Sequence, residues 1–240
     1  MVIYMKNHKF RGIRLGESLK DFNDYKKAIS HLTAREKYVN KLNHNTPEHW
    51  DAIWSKERRT GPREEEIVRS LLGKYIVGDV LEIGGGFTNF QTEFIARKLG
   101  KEIRSYTSVD LSEMAKVILE EKIPEAKGVV HDIESRKPIP LPDHSYDTIM
   151  LIHSLEHFEW ETAQWLVSDL ERLIRKTKEA YIIIEVPPEG RPTEPNEHRV
   201  AYGGDEKKLR ELFEPRFEFK AVAWTDHPRF VVALIRKTGY

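Results

Sequence analysis

The chain has 240 residues and 28.1 kDa, which suits one large α/β domain or one domain with an added segment. It is 39% hydrophobic and 32% charged, with a mean hydropathy of -0.58, which excludes wholesale disorder. It has no cysteine, which excludes disulfides, thiolate zinc sites, iron–sulfur clusters and cysteine nucleophiles. The formal net charge is zero, yet residues 1–75 carry 16 Lys and Arg against 10 Asp and Glu, and the remaining 165 carry 23 against 29. The basic N-terminal third suits either a solvated helical face or a surface that attracts an anionic substrate, phosphate or RNA. The longest apolar runs, 149–152 and 181–186, are too short to span a bilayer. Residues 1–16 hold no apolar core of signal-peptide length. A cytoplasmic protein with no membrane partner is therefore expected. The absence of Cys, only two Gln and abundant Lys, Arg and Glu lean towards a thermophile source.

Residues 1–60 are polar and read as a helical extension. Leu19, Phe22, Tyr25, Ile29 and Leu32 recur at spacings of three and four. Trp50, Ile53 and Trp54 repeat that pattern after Thr46-Pro47, where Thr46 is placed to cap and Pro47 to begin a helix. Gly61-Pro62 breaks the chain, and a further amphipathic stretch carries Ile67, Leu71 and Leu72. From about residue 78 the pattern alternates. Strands are expected at 79–83, 104–109, 129–130, 146–152, 180–186, 216–223 and 229–236, and helices at 89–99, 111–121, 160–177 and 205–214. The 160–177 helix would turn Trp165, Leu166, Leu170, Leu173 and Ile174 to one side. Repeated alternation of strand and helix predicts an α/β fold, a parallel sheet with helices on both faces. The last two strands are joined by Thr225-Asp226-His227-Pro228 and must be antiparallel, because a parallel crossover needs roughly a dozen residues.

The chemistry concentrates first at residues 80–90, VLEIGGGFTNF. Gly84, Gly85 and Gly86 follow an apolar strand and precede a helix, so backbone can turn tightly and approach a ligand. Glu82 lies two residues before Gly84. Asp110 ends the next strand, at the position where an acid accepts hydrogen bonds from ribose hydroxyls. No Gly-Lys-Ser/Thr follows the glycines, which excludes a P-loop. The NAD fingerprint wants a third glycine where Asn89 stands.

These motifs resemble the class I S-adenosylmethionine-dependent methyltransferases, of the methyltransferase type 11 kind, over roughly residues 62–236. Glu82 to Thr88 is similar to the family's first motif, with Gly84 and Gly86 in register and Thr88 in place of the last glycine. SVDLS, with Asp110 and Leu111, is similar to the second. Residues 131–158 resemble the third and fourth combined, through Leu141-Pro142-Asp143, Ser145-Tyr146-Asp147 and Leu155-Glu156-His157. The resemblance implies a seven-stranded, mostly parallel sheet in the order 3-2-1-4-5-7-6 with strand 7 antiparallel. It implies a domain at 61–240 preceded by the 1–60 helical extension or lid. It also implies S-adenosylmethionine as cofactor, held by Glu82, Gly84, Gly85, Gly86, Asp110, Leu111, Asp132, Ile133 and His153, with Asp132 and Ile133 beside the adenine.

The acceptor is less constrained. Ile152-His153-Ser154-Leu155 lacks the Asn/Asp-Pro-Pro-Tyr motif of relatives that methylate exocyclic amines, which leaves oxygen or a more basic amine. His153, His157 and His198 are the candidate catalytic bases, since imidazole titrates near neutrality. Glu156, Glu185 and Glu197 are further candidates in the segments after the fourth and fifth strands, and His153 can equally be a cofactor contact. Residues 187–204 are long enough for a substrate lid. His157, Glu185, Glu197 and His198 would be the ligands of a divalent cation, but no tight ligand spacing supports one, and no metal is expected. The expected function is methyl transfer to a small-molecule or glycan-precursor acceptor at oxygen. In relatives such an extension forms part of the acceptor pocket, where Trp50 and Trp54 would shape a wall, unless they pack in the core, and Lys56, Arg58 and Arg59 would face a carboxylate or phosphate. Alternatives are an RNA or protein acceptor docked on the basic N-terminal region, and a non-catalytic cofactor-binding module in a complex.

Overall fold

In the computed structural model the described residues are 46–55, 73–87, 94–186, 206–214, 216–224 and 231–237. The chain divides into Met1–Leu42 and Asn43–Tyr240, and all described residues belong to the second unit. The expected helical face at Leu19–Leu32, the stretch at Ile67–Leu72 and the loop at 187–204 lie outside the described residues.

The strands are β1 (Gly78–Ile83), β2 (Ile103–Asp110), β3 (Lys127–Val130), β4 (Thr148–Ile152), β5 (Tyr181–Val186), β6 (Phe217–Trp224) and β7 (Val231–Lys237). Five of them run parallel, in the order β3-β2-β1-β4-β5. β7 pairs antiparallel with β5, and β6 antiparallel with β7. The helices are α1 (Pro47–Trp54), α2 (Glu113–Lys122), α3 (Trp160–Leu173) and α4 (Glu206–Phe213). None among the described residues is long and apolar enough to cross a membrane.

The apolar strand runs are explained by burial on both faces. Leu81, Ile83, Ile149, Leu151, Ile182 and Ile184 pack in one core with Leu166 and Leu170 of α3 and Leu209 and Phe213 of α4. The alternate positions Val80, Tyr106, Met150 and Ile183 pack in a second core with Leu119 of α2. This two-sided burial is what parallel strands require. The helix starts follow local chemistry. Thr46 accepts from the His49 N–H, with Pro47 in the first turn of α1. Ser112 accepts from the Ala115 N–H at the start of α2.

The expected helix 160–177 ends earlier, at Leu173. Ile174 is extended and bridges Tyr146, although its apolar side chain continues the helical periodicity. Of the expected helix at 89–99, residues 94–99 are described, and Ala96–Lys98 is their single α-helical turn.

The amino edge of the sheet is closed by charge. Asp79 accepts both Nε and Nη2 of Arg104, at 3.0 and 2.6 Å, together with Ser105 Oγ and Arg175 Nη2. Asp147 accepts the Asp79 N–H at 2.9 Å and pairs with the same two arginines. Arg172 likewise holds Asp143, Asp169 and the carbonyls of Ile139 and Leu141. Asp143 and Asp147, two acids of the Leu-Pro-Asp phrase, therefore fasten the end of the sheet opposite the strand carboxyl termini.

The Arg104 hydrogen bonds outweigh burial and pull the Asp79 carboxyl down from 3.8 to about 2. Its folded-state value lies below the unfolded one, so its stabilisation is present above about pH 4 and lost as pH falls through 2. Asp79→Asn is expected to lower the urea-unfolding free energy by about 2 kcal/mol at pH 7. The variant and wild type should converge near pH 2.

Candidate active site at the carboxyl edge of the sheet

From β1 the chain winds to β2 and β3 on one side, then returns to β4 and β5 on the other. The crevice outside the carboxyl ends of β1 and β4 is therefore the switch point, where open α/β sheets bind ligands. On the α2 side of the sheet, apolar residues give way to polar ones towards this edge. Glu82 follows Val80, Ser108 and Asp110 follow Tyr106, and Glu185 follows Ile183. Glu82, Ser108 and Glu185 are all buried. The Ser108 hydroxyl has no hydrogen-bond partner.

The glycine turn sits on this polar floor. Glu82 accepts from the Tyr106 hydroxyl, and Gly85 lies over the Glu82 carboxylate. Gly84 and Gly86 have φ of +67° and +51°, a left-handed backbone that favours glycine. The Gly84 N–H donates to the Val109 carbonyl at 2.7 Å. The Gly86 N–H donates to Asp110 Oδ2 at 2.8 Å, and the Ser112 N–H to Asp110 Oδ1 at 2.8 Å. The carboxylate expected at the ribose is thus also the brace of the turn. Burial pushes it up to about 6 despite those backbone bonds, and Asp51 adds to the rise. Leu111 follows half-buried.

Asp132 is exposed beyond β3 and caps the turn Ile133–Ser135 by accepting the Glu134 N–H at 2.9 Å. Ile133 is buried in the core that α3 covers.

The exit of β4 brings together His153, Glu156 and His157. His153 also has a left-handed backbone, φ +52°, uncommon for a non-glycine residue. Its N–H donates to the Glu185 carbonyl at 3.0 Å, and its Nδ1 lies 3.4 Å from Glu156 Oε1. Glu156 is 2% exposed. Burial raises its pKa, but the His153 hydrogen bond and the His157 and His153 charges outweigh burial and hold it below the ordinary value. Glu156 Oε2 and Ser154 Oγ are buried without a hydrogen-bond partner. His198 and Glu197 lie outside the described residues, and among the described residues no three His, Asp or Glu side chains form a metal-holding group.

α1 lies against this edge. Trp54 rests on Gly86, its indole standing where a Cβ would be. Trp50 stacks on Trp54 at 6.4 Å between ring centroids and meets the His157 ring edge-on at 5.0 Å. Asp51 accepts from Ser112 Oγ and, at 3.0 Å, from the Met114 N–H, so it helps cap α2 from another helix. Sequence reasoning placed the two tryptophans as pocket-wall candidates but missed Asp51. Its signal was an acid set among the apolar positions 50, 53 and 54, where burial requires donors.

Residues 81–182 match the methyltransferase-domain family. No curated protein matches the chain. Among solved structures, a SAM-dependent methyltransferase from Aquifex aeolicus is 19% identical, with a TM-score of 0.56, covering 72% of this chain and 93% of its own. The 1,6-didemethyltoxoflavin-N1-methyltransferase of Burkholderia thailandensis, with bound 1,6-didemethyltoxoflavin and S-adenosylhomocysteine, is 16% identical with a TM-score of 0.56 and covers 99% of each chain. The cyclase SpnF is 13% identical with a TM-score of 0.56, covering 73% of this chain and 80% of its own. At these identities the likeness is one of fold.

Gly86→Ala combines a left-handed backbone with a methyl group driven into the Trp54 ring. A loss of about 1–3 kcal/mol in unfolding free energy is expected by urea titration. In a Trp54→Ala background the same change should cost less, because only the backbone part remains. Equal costs in both backgrounds would show that the indole does not bear on Gly86.

Proposed function

We propose, from the premise that the chain belongs to the class I S-adenosylmethionine-dependent methyltransferases, that it methylates a small-molecule or glycan-precursor acceptor at oxygen. The observation that carries methyl transfer is the glycine turn at the end of β1, braced by the acid at the end of β2 at the switch point of the sheet.

The residues at this edge fit that cofactor. Gly84 and Gly86 let backbone come close to a bound molecule. Asp110 keeps lone pairs for ribose hydroxyls beyond those taken by Gly86 and Ser112. Asp132 stands exposed at the neighbouring strand end for the adenine, with Leu111 beside Asp110. The unpartnered Ser108 and Ser154 hydroxyls supply further polar contacts. When bound, the cofactor supplies a methyl group on a positively charged sulfur.

The chain's own residues then orient the acceptor, exclude water and take up a proton. His153 is pinned by the Glu185 carbonyl and the Glu156 carboxylate, which suits it to receive the proton of an acceptor hydroxyl. His157, beside Trp50, and His198, in the 187–204 segment, are the other candidate bases. Residues 1–60 are assigned as an N-terminal extension and 61–240 as the methyltransferase domain. The small-molecule acceptor is supported by the Burkholderia neighbour. That neighbour is an N1-methyltransferase, so the choice of oxygen rests on this chain's Ile152-His153-Ser154-Leu155 segment alone. The basic charge of residues 1–75 favours one second reading, an RNA acceptor. RNA affinity that falls steeply with salt would support it, and salt-insensitive turnover on a small molecule would discard it.

The reading is tested by incubating the chain with methyl-labelled S-adenosylmethionine and pools of hydroxylated small molecules. Label in an ether or ester product supports it, and label confined to nitrogen contradicts the choice of oxygen. Asp110→Ala is expected to weaken S-adenosylhomocysteine binding by about 1.5–3 kcal/mol, the worth of a hydrogen bond to a charged group. With the Asp110 carboxyl at about 6, wild-type affinity should fall as pH drops below 6, while the variant stays flat. His198→Ala is expected to slow methyl transfer with cofactor affinity near wild type, and full activity would remove His198 from the mechanism.

A further inference from the structure

We propose that Trp54 is a gate on the glycine turn and Asp51 its latch, so that a ligand reaches Gly86 only after α1 releases. The inference rests on the cofactor reading above and adds to it the residue that controls entry. Three observations carry it.

The first is occupancy. The six-membered ring of Trp54 lies on the face of Gly86 where a side chain would project. A glycine whose bare face is needed for close approach by a ligand is here covered by an indole.

The second is that this position leaves the indole unsatisfied. Trp54 Nε1 is buried and has no hydrogen-bond partner. A buried tryptophan normally finds an acceptor for that N–H, so a structural tryptophan would ordinarily be better served. A movement that exposes Nε1 to water, or to an acceptor on a ligand, recovers the bond.

The third is the way α1 is held. It has eight residues, too few to persist as an isolated helix, so contacts to its neighbours hold it in place. Asp51 binds Ser112 Oγ and the Met114 N–H, while the Ser112 N–H binds Asp110. Latch and ribose-facing acid thus share one residue. A ligand that draws on Asp110 pulls at the residue to which α1 is fastened. The stacked Trp50 carries the same movement to His157, one of the candidate bases.

The test is stopped-flow tryptophan fluorescence on the full chain with S-adenosylhomocysteine as probe, in wild type, Trp54→Ala and Asp51→Asn. In wild type the observed rate should level off at high ligand concentration, because opening limits it. In both variants the open fraction rises, and association should be about tenfold faster. Trp54→Ala removes the gate and Asp51→Asn only the latch, so a folding defect in one leaves the other informative. An unchanged rate in both variants would overturn the gate. Weaker binding by Trp54→Ala would also overturn it, since the indole would then be a platform for the ligand. Binding by the variants alone, with none by wild type, would be its strongest form. No binding by any of the three would fail the cofactor reading itself.

Discussion

The hydrogen bond from the Gly86 N–H to Asp110 ties the two halves of the candidate site together. It closes a turn that only glycine adopts readily, and it fixes the carboxylate at the end of β2. The same carboxylate holds the Ser112 N–H, and Ser112 begins α2 and binds Asp51 of α1. One half-buried acid therefore sets the path of the glycine loop, the start of a helix and the seat of the segment that covers them. Its raised pKa reflects burial of a charge next to a second carboxylate. Such perturbed carboxyls cluster at functional sites.

The sheet separates stability from chemistry. At the amino edge, Asp79, Asp147, Arg104 and Arg175 form a closed ion-pair network, and Arg172 fastens the segment before β4. At the carboxyl edge several buried polar atoms stay without partners: Ser108 Oγ, Ser154 Oγ, Glu156 Oε2 and Trp54 Nε1. Native interiors rarely leave such groups unmet, and here they concentrate at the edge where the cofactor is proposed to bind. His153 adds backbone strain at the same edge, held by Glu185 and Glu156.

The strands and the switch point were legible because parallel strands must be apolar on both faces, and runs such as Tyr181–Val186 say so directly. Thr46 and Pro47 announced α1 through local capping chemistry. The end of α3 was not legible, since Ile174 continues the apolar periodicity while its backbone bridges Tyr146, far back in the chain. Glycine turn and Asp110 could be read as motifs, yet their mutual hydrogen bond spans 24 residues. Asp51 stood among the apolar positions 50, 53 and 54, a sign of burial, but its partners lie 61 and 63 residues away and could not be named from sequence. His153 and Glu156 stood close in sequence, but the positive φ that turns them towards each other has no signature in residue type.

The most direct measurement of the central claim is calorimetric titration of the full chain with S-adenosylmethionine and S-adenosylhomocysteine, with NAD as the control. The account predicts saturable binding of the sulfur cofactors at one site per chain, lost or much weakened in Asp110→Ala, and no heat from NAD. Binding of NAD, or no binding of either sulfur cofactor, would contradict it.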